Sequence, residues 1–379
     1  MEGRHSPQYA PSEPAAEQTP PRKPRKKRKS VFRLIVQDIL LTGLVLCVFA
    51  LFHHVIPRLT AANREMPTPV SIQTPAPVQT PEPQQTPAPT ETENPEATPE
   101  PTPEPTPDPM DWRTKFAEHF TDEIVVTENS YTSPNIAIHI DTYTTDAPAP
   151  TTYFVADIYI AQLENFQTYW AGGKLSYYMY ESPLSIAKNA EAILSINGDY
   201  ADNQLYGFLV RNGELYYTEQ TTNDICVLYY DGTMETYDAD EYKVEDVLAR
   251  SPYQVWKFGP ALLDGNGQPK ERSAYNTTTE IGWENPRSGV GYYEPGHYCF
   301  VIVDGRQSGY SRGLEIERFA QVFADLGCVC AYNLDGGQSA VMTFNQGLYS
   351  HPYLGGRDSG DILLIRELST AETGEEGEG

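Results

Sequence analysis

The stretch with most chemistry per residue is "AYNLDGGQSAVM", Ala331 to Met342, where a carboxylate, two glycines and a serine interrupt an otherwise apolar run. A strand that ends in glycines lets a substrate approach backbone N–H groups without side chains in the way. Asp335 would aim its carboxylate into that opening, Gly336 and Gly337 would offer backbone donors, and Ser339 would add a hydrogen bond. Asp-Gly-Gly is also an ordinary tight turn in which the aspartate bonds its own backbone.

Other stretches repeat the pattern. "VIVDGRQSGYSRG" ends an apolar run with Asp304, Gly305 and Arg306, and "SINGDYA" ends another with Asn197, Gly198, Asp199 and Tyr200. Arg287 precedes a glycine-rich run in "NPRSGVGY", and Arg357 precedes the last apolar run in "GGRDSGDILLI". Acids and arginines beside glycine at several strand ends predict one shared cleft. Planar bidentate guanidinium suits phosphate, and carboxylates suit an oxocarbenium-like centre or an attacking water. No motif places a histidine as base for Ser339, so the serine is expected to orient an oxygen rather than attack. His297, just before an apolar run, is equally compatible with a structural place and with the cleft.

The elements that must position these groups are mixed. Ile136–Tyr143 and Thr152–Ile160 read as strands, and hairpins are expected around Asn212-Gly213 and Asp231-Gly232. Helices are expected over Leu184–Ala192, Ala239–Ala249 and Gly313–Leu326, the last stopped by Gly327 before a strand Cys328–Leu334. The fold class is therefore α+β (mixed α/β), with mixed, largely antiparallel sheets and a few helices. Cys328 and Cys330, two apart, are expected to face the same side. Cys226 and Cys299 stand apart, so buried thiols or one disulfide are expected, not a zinc site. No cofactor is expected. The aspartates would accept a divalent cation, but no spaced ligand loop asks for one.

Charge divides the 379-residue chain. Residues 1–65 carry 11 Lys/Arg against 5 Asp/Glu, and residues 66–379 carry 16 against 47. The acidic remainder excludes nucleic acid as a partner, since phosphate binding needs a basic face. Residues 1–30 read as a basic cytoplasmic tail containing Arg22–Lys29, and 31–57 as a single transmembrane helix, uncharged from Ile39 to Phe52. Positive charge before the span puts the N-terminus inside and the rest outside the cell membrane; a cleaved signal peptide is the alternative. Residues 58–110 form a Pro/Thr/Glu-rich linker, expected to act as an extended stalk reaching on the order of 100 Å. Residues 111–180 open the ectodomain, 181–369 complete it, and 370–379 are an acidic disordered tail.

"INGDY", "VDGR", the helix "GLEIERFAQVFADLG" and "NLDGGQSAVM", in that order, resemble the phosphodiester glycosidase family over roughly Ile193–Ile365. The family usually has Asn-Gly-Gly-Tyr-Phe where this chain has Asn197 to Ala201, a third glycine at Gln338, and often an acid at Arg318. These departures bear on substrate identity. The resemblance implies hydrolysis of a sugar-1-phosphodiester at the anomeric C–O bond, in a surface glycan such as wall or capsule exopolysaccharide. Under that expectation Arg287, Arg306 and Arg357 hold the phosphate. Asp335 and Asp304, with Asp199 third, act at the anomeric carbon, and Asn197, Gly336, Gly337, Ser339 and Tyr200 contact substrate. The rival expectation is a noncatalytic phosphoglycan- or wall-binding module, and a scaffolding surface protein is a third.

Overall fold

The computed structural model describes residues 31–52, 66–73, 111–146, 149–201, 206–271, 275 and 283–369. The expected tail 370–379, residues 1–30 and most of the linker lie outside that set. The chain divides into two units, Met1–Thr60 and Ala61–Gly379. In the first, α1 spans Val31–Ala50, and residues 53–57 of the expected span are not among those described. Among the described residues no helix is long and apolar enough to cross a membrane.

The second unit is built from three antiparallel sheets. The strands of the seven-stranded sheet are β2 (Val125–Val126), β3 (Ser130–Thr132), β4 (Ile136–Thr145), β5 (Thr151–Ile160), β13 (Arg287–Glu294), β14 (His297–Val303) and β15 (Cys330–Asn333). Their order is β15-β13-β14-β5-β4-β3-β2. A five-stranded sheet combines β6 (Phe166–Trp170), β7 (Leu194–Asn197), β16 (Met342–Phe344), β17 (Gly347–Leu348) and β18 (Asp361–Ile365) in the order β17-β16-β7-β18-β6. The six-stranded sheet runs β1-β9-β8-β12-β10-β11. It contains β1 (Val70–Ser71), β8 (Phe208–Arg211), β9 (Glu214–Thr218), β10 (Ile225–Tyr229), β11 (Met234–Tyr237) and β12 (Pro252–Trp256). Both expected hairpins form, and Asn212 and Gly213 turn at φ 51° and 77°.

Period-two alternation assigns each strand two jobs. In β14, Tyr298, Phe300 and Ile302 enter the central core, whereas Cys299, Val301 and Val303 meet helix α5 (Ile316–Asp325) through Phe319 and Phe323. In β18, Leu363 and Ile365 face the same central core, while Ile362 and Leu364 pack with Ile186 and Ala187 of α3 (Pro183–Asn189). In β10, Cys226 and Leu228 point inward, and Ile225, Val227 and Tyr229 pack with Val244 and Val247 of α4 (Val244–Leu248). Three sheets thus surround one core, each backed by a helix, which buries apolar side chains on both faces.

Residues 111–180 are woven into the same sheets: β5 pairs with β14, and β6 with β18. Trp112, in the short helix α2 (Trp112–Lys115), is 1% exposed.

Three local expectations are corrected. The helix expected from Gly313 starts at Ile316, because Gly313 sits at φ 102° and Leu314 bridges to Asn285. The helix expected from Ala239 is only α4. Cys328 precedes β15, so its side chain packs beside Cys299, Sγ to Sγ 3.6 Å, while Cys330 enters the central core. All five cysteines carry free thiols. Within the expected linker, Val70–Ser71 pairs with β9.

Candidate active site

The site forms where β7, β14 and β15 end and β13 and β18 begin. Asn197, fully buried at the end of β7, staples them. Its Nδ2 donates to the carbonyls of Asp335 (2.6 Å) and Gly198 (3.1 Å), and its Oδ1 accepts from the N–H of Val341 (3.3 Å). The loop Asp335–Ser339 is therefore fixed at both ends by one amide side chain.

The glycines in that loop are demanded by packing. A Cβ on Gly336 would stand 2.7 Å from the carbonyl oxygen of Pro286. Gly337, at φ 63°, donates its N–H to the same carbonyl at 2.9 Å, and a Cβ there would press on the Arg306 guanidinium at 3.2 Å. The Gly337 N–H therefore has a protein partner, which corrects its expected role as a substrate donor.

Asp335 and Arg357 make the central pair. Arg357 donates from Nη2 to Asp335 Oδ2 at 2.5 Å and from Nε to Ser339 Oγ at 2.7 Å. The guanidinium lies 5.2 Å from the Tyr200 ring centroid. The Asp335 side chain is 16% exposed and that of Arg357 43%, so the pair spans the boundary between protein and solvent. Burial pushes the Asp335 carboxyl above its ordinary value. The Ser339 hydrogen bond and the Arg357 charge oppose that rise, and the Asp199 charge adds to it. Arg306 reaches the same loop. Its Nε and Nη2 donate to Asn285 Oδ1 at 3.0 and 2.8 Å, its guanidinium sits 5.7 Å from the Tyr353 ring, and it borders hollows of about 380 and 430 Å3.

Other expected site residues face inward. Asp199, 3% exposed, accepts from Arg211 Nη2 at 2.6 Å and from the Lys257 N–H at 2.8 Å. Arg211 Nη2 also lies 3.4 Å from Asp361 Oδ2. Asp304, 1% exposed, accepts from the Tyr310 hydroxyl at 2.8 Å and from the His351 N–H at 3.0 Å. Burial raises its carboxyl. Arg287, 3% exposed, donates to the carbonyls of Leu314 (2.9 Å) and Trp283 (2.6 Å), and burial lowers it to about 10. In each case the side chain ties loops together. Asp199, Asp304 and Arg287 are thus buried and held by protein partners, unlike Asp335 and Arg357. His297 bonds Asp157 at 2.7 Å and stacks between Tyr159 and Tyr293, which resolves it as structural.

The sequence reading missed one exposed candidate, His351, and two buried bracing charges, Arg211 and Asp361. His351 has Nδ1 3.2 Å from the Tyr310 hydroxyl and 3.6 Å from Asp304 Oδ2, with its side chain 69% exposed at the edge of a hollow of about 680 Å3. Its position six residues before Arg357 was the available signal. Arg211 and Asp361 carried none, being isolated charges at the edge of apolar runs. A hollow of about 610 Å3, bordered by Glu235, Asp238 and Lys270, lies away from Asp335. Among the described residues no cluster of three or more His, Cys, Asp or Glu could hold a metal ion.

Comparison with known proteins gives a family match over these residues and a likeness of fold. The family model for phosphodiester glycosidases matches residues 190–366. The catalytic domain of zebrafish N-acetylglucosamine-1-phosphodiester alpha-N-acetylglucosaminidase, auto-inhibited by its pro-peptide, superposes with a TM-score of 0.53 at 21% identity, over 65% of this chain and 88% of that one. A hypothetical protein from Synechocystis gives 0.43 at 13%, over 62% and 63%. None of the curated protein sequences is detectably similar to the chain. At 21% identity the likeness to the zebrafish enzyme is one of fold. The match to the phosphodiester glycosidase family spans residues 190–366, which carry every side chain of the Asp335 cluster.

Proposed function

We propose that the domain is a hydrolase that cleaves the glycosidic C–O bond of a sugar-1-phosphodiester in a surface glycan or glycoconjugate. One observation carries this reading: a largely buried carboxylate, Asp335, is held against a half-exposed guanidinium, Arg357, at the meeting of strand ends. In this reading Arg357 and Arg306 take the phosphate, since guanidinium offers several donors in a planar fork. Asp335 faces the anomeric carbon, and the Tyr200 ring supports Arg357.

Water attacks the anomeric carbon, the C–O bond to phosphate breaks, and the phosphomonoester leaves with the bonding electron pair. Asp335 takes the proton from water. A phosphate that draws Arg357 toward itself removes a charge that lowers the Asp335 pKa, so substrate binding makes the carboxylate more basic. The phosphate leaves as a stabilised anion, and its charge is the one the arginines neutralise.

The uncharged run Ile39–Phe52 behind the basic Arg22–Lys29 supports a further part of the proposal: a single-pass membrane anchor with the domain outside the cell. Protease added to intact cells should then remove the domain and spare residues 1–30; protection of the domain would refute the placement.

The inward placement of Asp199 and Asp304 favours a second reading, a noncatalytic phosphoglycan-binding module. With those acids sealed, less negative charge opposes an anionic ligand. Turnover separates the two readings. Wild-type protein is expected to release free sugar and phosphomonoester from a panel of sugar-1-(methyl phosphate) diesters. Asp335→Asn should lose about 10²- to 10⁴-fold in kcat, the range for a positioned acid or base. Saturable binding without product would establish the module instead.

A further inference from the structure

Met66–Gln73, within the Pro-rich segment, lies on the domain. Val70 and Ser71 pair with Leu215 and Glu214, and the Ile72 N–H donates to the Gly213 carbonyl at 2.7 Å. The Ser71 hydroxyl donates to Glu214 Oε1 at 2.5 Å, and the Tyr230 hydroxyl donates to the Ile72 carbonyl at 3.4 Å. Two apolar side chains anchor the ends. Ile72 packs against the cluster of Val210 and Val255, and Met66 against that of Trp170, Leu175, Ala201 and Leu209. Pro67 and Pro69 hold the segment extended and cannot donate to a further strand, so they close an edge that β9 would otherwise expose.

Met66 connects this edge to the site. Ala201 is fully buried and directly follows Tyr200, whose ring lies against Arg357. Tyr200 itself sits at φ 65°, a conformation a tyrosine keeps when its surroundings fix it. We propose that the edge of β9 is a docking surface whose occupant is this chain's own Met66–Gln73, and that docking props the Gly198–Ala201 loop so that Tyr200 supports Arg357. The segment acts on positioning from beneath the loop.

The claim about catalysis rests on the proposed hydrolase; the claim about docking does not, and the two are read separately. The full chain is compared with Ile72→Pro, which removes the Gly213 hydrogen bond and an anchor, and with Met66→Asp. Hydrogen exchange should quicken at least tenfold at the amides of 213–218 in Ile72→Pro and at those of 198–201 in both variants. KM for a sugar-1-(methyl phosphate) diester should rise about fivefold to tenfold with kcat changed less than twofold. A general loss of folding would instead lower the active fraction and leave KM in place. Adding the peptide MPTPVSIQ in trans should restore both readouts. Unchanged exchange at 198–201 in both variants overturns the proposal whether or not the protein turns over substrate. Unchanged KM in variants whose 198–201 amides have opened overturns its catalytic half. A cross-link between Val70→Cys and Leu215→Cys that forms only between two molecules would assign the surface to a second copy and overturn the choice of occupant.

Discussion

Two acid–arginine clusters stand at neighbouring strand ends, and they differ chiefly in access to water. Asp199, Arg211 and Asp361 are sealed, each side chain at most 1% exposed, while Asp335 and Arg357 are 16% and 43% exposed. In the sealed cluster one guanidinium serves two carboxylates, and a Cβ at Gly198 would collide with Asp361 Oδ1 at 1.9 Å, so the backbone packs directly on that carboxylate. In the open cluster a guanidinium serves one carboxylate and one hydroxyl and still meets solvent. The residue types are the same. Burial turns one cluster into a brace and leaves the other in contact with water.

The largest effect expected from this contrast is on stability. Arg211→Met leaves two buried carboxylates without their shared cation and should cost about 3–5 kcal/mol in denaturant unfolding, the range for breaking a buried ion pair. Asp335→Asn should shift the same midpoint by less than about 1 kcal/mol, because the side chain removed is one whose ionisation burial already disfavours. Equal losses in the two variants would erase the distinction.

Lys257 belongs to the sealed side, 2% exposed, and burial lowers its ammonium to about 8 against an ordinary 10.5. Between these values the unfolded chain binds the proton more readily than the folded one. Stability contributed by this group therefore rises as pH increases from about 8 toward 10, by about 2–3 kcal/mol in all. Lys257→Met should flatten that rise, measured as unfolding free energy against pH.

Arg306→Lys probes the open side more gently. Replacing a planar fork by a point charge should raise KM for a phosphodiester about tenfold, worth about 1.4 kcal/mol, with little change in kcat. The acid limb of kcat/KM should meanwhile lie above 3.8, because the Asp335 carboxyl is raised and must be ionised to act. An acid limb below 3.8 would detach Asp335 from the reaction.

Much of the frame was legible in advance. The two hairpins, β4, β5 and the helix ending at Gly327 follow from turn residues and periodicity, because these are local signals. One cleft shared by Asp199, Arg287, Asp304, Arg306, Asp335 and Arg357 was expected from the repeated glycine-flanked charges; Asp335, Arg357 and Arg306 stand around the Gly336-Gly337 turn, and the other three are buried. Asp199, Asp304 and Arg287, all buried, sit in motifs of the same form as Asp335 and Arg357. What distinguishes them is which way each strand end turns and what lies behind it. His351 was missed because its partners, Asp304 and Tyr310, come from another part of the chain.

By itself the sequence determined which stretches form strands and turns and which charges stand near their ends, since φ preferences, alternation and glycine placement act over a few residues. The tertiary structure decided which of those charges meet water. A carboxylate's environment is set by neighbours tens or hundreds of residues away, such as Arg211 and Asp361 around Asp199, and desolvation falls off with distance in space, not along the chain.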